Sequence, residues 1–347
     1  MSSPNLLRLS ICIPTYNFGA FIGETLDSIL PQLTPEVEVI VFDGGSQDQT
    51  ADEVLKRQVI SDRLTYFRQD HRGGIDRDIE SSVAMAHGEY CWLFSADDVM
   101  QPGAIAHVLA ALNSGIDIYI CEHILCDFNL RPIRPYPPFS GLDGPRAFDF
   151  SDPEQRHAYF GLAKTSEAFF SFMSGPIFKV ARWRLVDPPD SFRGTCWIVA
   201  GHLLFGMNQG IKISYLCKPL LWKRGENDSF ADKGMVNRFR IAIQNFQHIA
   251  DTVFGRDTYE GRQIRRVLRS DVDLKGMLVA KLLATERPEV EDIHVLDALV
   301  VAHYSDPGIG NWAKRWTYSI SSVYVLKMAR LIKRALKRWK GGRRVAA

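Results

Sequence analysis

The stretch Val39-Ile-Val-Phe-Asp-Gly-Gly-Ser-Gln-Asp-Gln-Thr50 sets the reading of the chain. Its unbroken apolar run suits a strand covered on both faces. Asp43 closes the run, Gly44 and Gly45 turn the chain, and the short polar residues after them suit the start of a helix. The same grammar recurs on either side. Leu9-Ser-Ile-Cys-Ile13 runs into Pro14-Thr15-Tyr16-Asn17, and Tyr90-Cys-Trp-Leu-Phe94 runs into Ser95-Ala96-Asp97-Asp98. Residues 18–30, 48–59 and 75–86 have helical spacing, 64–67 and 116–121 read as further strands, and Pro102 opens another helix. This alternation predicts an α/β fold, with a mainly parallel central sheet and helices on both faces.

The remainder is less regular. Six prolines between residues 131 and 153 predict a long loop. Residues 154–173 and 199–207 look helical, and 212–216 and 220–222 look like late strands. Beyond residue 232 the spacing is helical almost throughout, over 236–254, 259–284, 293–303 and 319–340. The expected division is therefore a domain over 1–232 and a helical C-terminal region over 233–347.

Hydrophobic residues make up 46% of the 347 and charged residues 24%, which excludes a disordered or collagenous chain. No apolar run is long enough to span a bilayer, and the N-terminus has no secretory pattern. The six cysteines include only one close pair, Cys121 and Cys126, so reduced thiols in a cytosolic protein are expected. The net charge of +2 hides an asymmetry: nine basic residues and no acid lie from Lys327 onward, leaving the rest acidic by seven charges. That pattern argues against nucleic acid as a partner and for one local anionic partner.

In open α/β sheets, ligands bind beyond the carboxyl ends of the strands, where Asn17, Asp43, Ser46 and Asp97 fall. Taken singly, Asn17, Asp43 and Ser46 also suit helix caps. Three such ends in order make a site. A dinucleotide-binding dehydrogenase is disfavoured, because Pro14-Thr15-Tyr16-Asn17 stands where its glycine-rich turn would be.

The order of these motifs resembles the family 2 glycosyltransferases of the GT-A fold. The likeness rests on Ile13-Pro-Thr-Tyr-Asn17, on the stretch 39–50, on Arg72-Gly73-Gly74 ahead of a helix that ends Ala86-His-Gly-Glu-Tyr90, and on Leu93-Phe-Ser-Ala-Asp-Asp98. It is strong over residues 8–112 and weakens toward 230. Residues 88–98 and Asn227-Asp-Ser-Phe230 are similar to bacterial abequosyltransferase-like enzymes of O-antigen synthesis. The resemblance implies transfer of a sugar, with inversion, from a nucleoside diphosphate to a hydroxyl of a lipid-linked oligosaccharide. It implies donor contacts from Pro14, Thr15, Asn17, Asp43, Gly44, Arg72, Gly74, Asp76, Asp78, Ser95, Asp98 and Arg224. It also implies Mn²⁺ or Mg²⁺ on Asp97, with Asp98 as a second ligand or a sugar contact. Hard carboxylate oxygens suit such an ion.

The chain departs from the family pattern at Gly44, which replaces an acid, and at Ser95, which replaces the first acid of Asp-x-Asp. A third departure concerns the base that must take the acceptor's proton. The family carries a Glu-Asp pair at a helix start upstream of a Gly-x-Lys-Ile segment. Here that segment is Gly210-Ile-Lys-Ile213, and residues 195–202 hold no acid. His202, Asp190 and Glu167 are the substitutes. These gaps keep open a catalytically degenerate domain, and a transferase with a soluble or protein acceptor is the other alternative.

Residues 319–339 place apolar and basic side chains on opposite faces of a helix, which predicts peripheral attachment to an anionic membrane surface at the cytoplasmic face. Packing of that helix on the body or in a homo-oligomer is the alternative.

Overall fold

The computed structural model describes residues 7–227, 233–322, 325 and 327. It divides into two compact units, Met1–Asp228 with His248–Val267, and Ser229–Gln247 with Leu268–Ala347.

The first unit opens with β1 (Leu9–Thr15), α1 (Ile22–Ile29), β2 (Val37–Asp43), α2 (Thr50–Gln58), β3 (Leu64–Arg68), α3 (Ile75–Ala84) and β4 (Tyr90–Leu93). Strands β3, β2, β1 and β4 lie side by side in that order, all parallel, as their apolar runs require. Every residue of β1 is buried. Leu9, Ile11, Ile13, Val37, Val39 and Val41 pack with Ile22, Leu26 and Ile29 of α1 in one core.

The chain continues through β5 (Val99–Met100), α4 (Ala104–Leu112), β6 (Ile118–Cys126), β7 (Pro132–Tyr136), β8 (Arg146–Asp149) and α5 (Pro153–Leu162). It then forms β9 (Pro176–Lys179), α6 (Val180–Arg184), α7 (Ile198–Met207) and β10 (Lys212–Lys223). This half of the sheet is mixed. β9 lies between β4 and β6 and is antiparallel to both, while β10 is parallel to β6.

Two expectations change here. The proline-rich segment is no simple loop: it contributes β7 on β6 and β8 on β10. Its prolines are tolerated because β7 is an outer strand with exposed side chains, where a missing N–H costs no ladder bond. The helix expected over 154–173 ends at Leu162. Asp152 caps its start, accepting from the Glu154 and Gln155 amides. The chain then needs β9, a four-residue strand too short to give a periodic signal.

The second unit contains α8 (Gly234–Phe239), α11 (Leu274–Glu286), α12 (Ile293–His303) and α13 (Ile309–Ile320); between α8 and α11 the chain also forms α9 (Phe246–Phe254) and α10 (Tyr259–Asp271). Val236, Phe239, Met277, Leu296 and Tyr318 share its core. Glu291, buried, accepts from the Met235 and Val236 amides at 2.8 Å and so caps α8. The helix expected over 259–284 breaks at Val272-Asp273, where Asp273 caps α11 by accepting from the Gly276 amide. The amphipathic segment expected over 319–340 lies, beyond Ser322, almost wholly outside the described residues. Among those described, no helix is long and apolar enough to cross a membrane.

Candidate active site at the strand ends

Thr15 and Asp43 end adjacent parallel strands in register. Their loops are laced together. The Asn17 amide donates to Ser46 Oγ at 2.8 Å, and the Gln47 amide donates to Asn17 Oδ1 at 2.8 Å. The Phe18 and Gly19 amides reach Thr50 Oγ1 and Asp48 Oδ2. Asn17 holds φ at +57°, a left-handed conformation that Asn tolerates. Pro14 lies inside β1 and pairs with Phe42, so it shapes this end of the strand.

Asp43 is fully buried at the base of this cluster. Its Oδ1 accepts from the Ser46 amide at 2.7 Å and its Oδ2 from the Tyr66 hydroxyl at 2.6 Å. Burial and the Asp43 charge push the Tyr66 hydroxyl pKa well up, so it stays a donor. Beside Asp43, Gly44 faces Asp78, whose Oδ2 would lie 2.5 Å from a Cβ at position 44. Asp78 is 3% exposed and accepts from Gln69 Nε2 at 2.8 Å. Its pKa is raised by burial, against which the hydrogen bond from Gln69 and the Arg72 charge act. Arg72 is exposed and stacks 4.1 Å over the Tyr16 ring. Gly74 holds φ at +91° where the loop enters α3.

The second cluster is the turn after β4. Ser95 Oγ donates to Asp97 Oδ1 at 2.5 Å, and Asn227 Nδ2 donates to Asp97 Oδ2 at 2.8 Å. Asp98 is 2% exposed and faces inward. Its oxygens accept from Ser174 Oγ at 2.9 Å and from the Arg224 amide at 3.2 Å. Burial, with the Asp97 charge next, pushes its pKa up to about 8. Ser174 Oγ also accepts from the Ser95 amide, so one hydroxyl spans the turn.

Arg224, expected from the resemblance to contact the donor, is 9% exposed and committed elsewhere. It donates to Glu24 Oε2 at 2.6 Å, the Phe128 carbonyl at 2.7 Å and the Asp97 carbonyl at 3.1 Å. In this arrangement it braces the Asp97–Asp98 turn. Asp76 is likewise occupied. Its carboxylate accepts from the Gly194, Cys196 and Ile198 amides at 2.7, 3.0 and 3.2 Å, and caps α7. Burial raises its pKa and the three amides counter that.

The three candidate bases separate. The Asp190 side chain is 98% exposed and pairs with Arg193. His202 is buried in α7, stacked 3.7 Å from the Trp183 ring and 3.4 Å from Glu80; burial holds its pKa down to about 4. Glu167 is the one tied to the Asp97–Asp98 side. It lies 3.3 Å from Lys223 Nζ, and Lys223 precedes the Arg224 amide that binds Asp98. Its other oxygen is 3.4 Å from His123 Nδ1.

Among the described residues no three His, Cys, Asp or Glu side chains form a ready metal cage. The residues still fit a cation shared with a diphosphate, because Mg²⁺ is commonly held by one or two carboxylates plus substrate phosphates. Asp97 suits that role. Asp98, turned inward, serves the turn.

Ser174, Tyr66, Tyr16, Lys223 and Glu24 were missed from sequence. Ser174 sits at an irregular join, and Tyr66 reads as an ordinary strand residue. No pattern marks either one.

Residues 10–174 match the family model described as Glycosyl transferase family 2. The abequosyltransferase RfbV of Salmonella typhimurium is 30% identical over 267 residues, covering 76% of this chain and 80% of its own. A GalNAc(5)-diNAcBac-PP-undecaprenol beta-1,3-glucosyltransferase of Campylobacter jejuni is 29% identical over 109 residues, covering 31% of this chain and 35% of its own. Among solved structures, residues 1–349 of S. aureus TarS in complex with UDP-GlcNAc superpose with a TM-score of 0.61. That match is 16% identical and covers 93% of this chain and 92% of the other, a likeness of fold.

Proposed function

Because this chain belongs to glycosyl transferase family 2 and has the GT-A fold, we propose that it moves one sugar from a nucleoside diphosphate to a hydroxyl of a lipid-linked oligosaccharide, in bacterial surface polysaccharide synthesis of the O-antigen kind. The observation that carries this reading is the placement of two buried acidic clusters at the carboxyl ends of β2 and β4, flanking β1. Asp43 with the laced loops at 15–17 and 44–47 suits the nucleoside. Asp97 suits the cation that accompanies the diphosphate. The relatives' names, an abequosyltransferase and an enzyme acting on a pyrophosphoryl-undecaprenol glycan, support the sugar and acceptor classes.

The chemistry is a displacement with inversion. The acceptor oxygen bonds to the anomeric carbon as the bond to the diphosphate oxygen breaks, and the acceptor's proton goes to a base. Glu167 is that base in this proposal, held between Lys223 and His123. Ser95 and Asn227 orient Asp97, and Arg224 fixes the turn that carries it. A divalent cation, when bound, offsets charge on the departing diphosphate.

Glu167→Gln should lower kcat by about 10²–10⁴-fold, the usual worth of a positioned base, with donor KM little changed. Transfer by purified protein from a panel of nucleotide sugars, with and without Mn²⁺, is the test. A panel with no turnover and no donor-dependent thermal stabilisation would refute the transferase reading for this site.

A further inference from the structure

Helix α13 has the sequence Ile309-Gly-Asn-Trp-Ala-Lys-Arg-Trp-Thr-Tyr-Ser-Ile320. Ile309, Trp312, Trp316 and Ile320 fall at i, i+3, i+7 and i+11, which is one face of a helix. All four are exposed: 87%, 58%, 53% and 55%. The two indoles lie parallel, centroids 6.2 Å apart and planes 10° from coincidence. Tyr318, the helix's buried residue, points the other way into the core of the second unit, where its hydroxyl donates to Asp297 Oδ1 at 2.7 Å. The indoles and Val301, itself 58% exposed, border an open groove of about 580 Å³ whose floor includes Val300 and Tyr318. A large apolar stripe on a soluble surface marks an interaction site.

Charge identifies what covers it. Lys281 and Arg315 line the groove, while Lys314 lies on the other side of α13, 5.3 Å over the buried Tyr304 ring. From Pro307 to the C-terminus the chain has eleven Lys and Arg residues and no acid. The single acid of the groove, Asp297, is already bonded to Tyr318. A second copy meeting this face across a two-fold axis would set Lys281 and Arg315 against their own copies, like charge against like. An anionic lipid surface has the opposite sign, and exposed tryptophans favour the headgroup boundary.

We propose that α13 is an interfacial helix: its Ile309–Trp312–Trp316–Ile320 stripe lies in the headgroup region of an anionic bilayer, with Lys281 and Arg315 beside it neutralising lipid charge. This deepens the reading of a lipid-linked acceptor and is tested apart from it. It also locates the contact on a folded helix upstream of the segment that sequence singled out.

The test uses full-length protein with vesicles of mixed phosphatidylglycerol and phosphatidylcholine, and with phosphatidylcholine alone. The wild type should sediment with the anionic vesicles, less at high salt, and its tryptophan emission should be quenched by brominated lipid. A Trp312→Ser/Trp316→Ser variant should lose at least about tenfold in vesicle affinity, the indoles being the inserted groups. A Trp312→Phe/Trp316→Phe variant, gentler on the fold, should keep most binding and lose most quenching. Nucleoside diphosphate affinity, by calorimetry, should be unchanged in both, so that failure here is distinct from failure of the transferase reading. Equal vesicle affinity of the wild type and the serine variant, or equal quenching of the wild type and the phenylalanine variant, would overturn the proposal. So would a wild-type dimer, in the absence of lipid, that the serine variant dissolves.

Discussion

Asp78 on α3 fills the space that a side chain at Gly44 would need: its Oδ2 stands 2.5 Å from the position of a Cβ there. The position where the family pattern has a second acid is thus occupied by a carboxylate from a different element, still next to Asp43. An acid lost from β2's end is replaced across the loop. Gly44→Ala should push Asp78 out and weaken nucleoside diphosphate binding by about tenfold or more, the cost of a misplaced polar contact. A Gly44→Asp/Asp78→Ala double variant should bind better than Gly44→Asp alone. Calorimetry with a set of nucleoside diphosphates measures both. Strict additivity of the two changes would refute the exchange.

Asp97→Asn keeps the size of the side chain and removes its charge. Turnover should fall at least a hundredfold, the order a bound cation contributes, while the thermal midpoint without donor moves little. The Mn²⁺-dependent part of donor stabilisation should vanish. Thermal melts with donor, with and without Mn²⁺, decide it. Near wild-type rates would remove the cation from Asp97.

Asp76 was a candidate donor contact, and its hydrogen bonds make it a cap. Asp76→Ala strands the Gly194, Cys196 and Ile198 amides and should cost about 3 kcal/mol of stability. Donor KM of the folded fraction should change less than twofold. Urea unfolding beside steady-state kinetics separates the roles. A raised KM with unchanged stability would restore the donor contact.

His303 is fully buried in the second unit, with Nε2 2.9 Å from the Val272 carbonyl, to which it donates in its neutral form. Burial holds its pKa down to about 4. The unfolded chain takes the proton near pH 6.5, so between about 6.5 and 4 the unfolded state binds more protons. The stability from neutral His303 is complete above that window and is lost as pH falls through it, by about 2 kcal/mol at pH 5. His303→Gln should flatten that loss. Urea melts at pH 7 and pH 5 check it, and identical slopes would refute the assignment.

The N-terminal half of the sheet was legible because β1, β2 and β4 are mostly apolar and end in short polar turns. The acids at 43 and 97 followed from those ends. Donor-side assignments at Asp76 and Arg224 could not be judged from sequence, because what occupies their side chains comes from residues 96–200 positions away, such as the Phe128 carbonyl, the Gly194 amide and Glu24. The same holds for Asp78. Its role depends on the missing Cβ of Gly44, and no local pattern joins the two.

Strand β9 has a consequence for synthesis. It sits at the middle of the sheet in space but is made after residue 175, with β10 later still. Until it emerges from the ribosome, β4 lacks a partner on one side and β6 lacks its link to the parallel strands. The nascent chain therefore carries unpaired strand edges through half its length, which makes folding slow and vulnerable to aggregation. A fragment cut at residue 174 would be fixed in that vulnerable state, so any attempt to express the N-terminal half alone should retain the chain through β10.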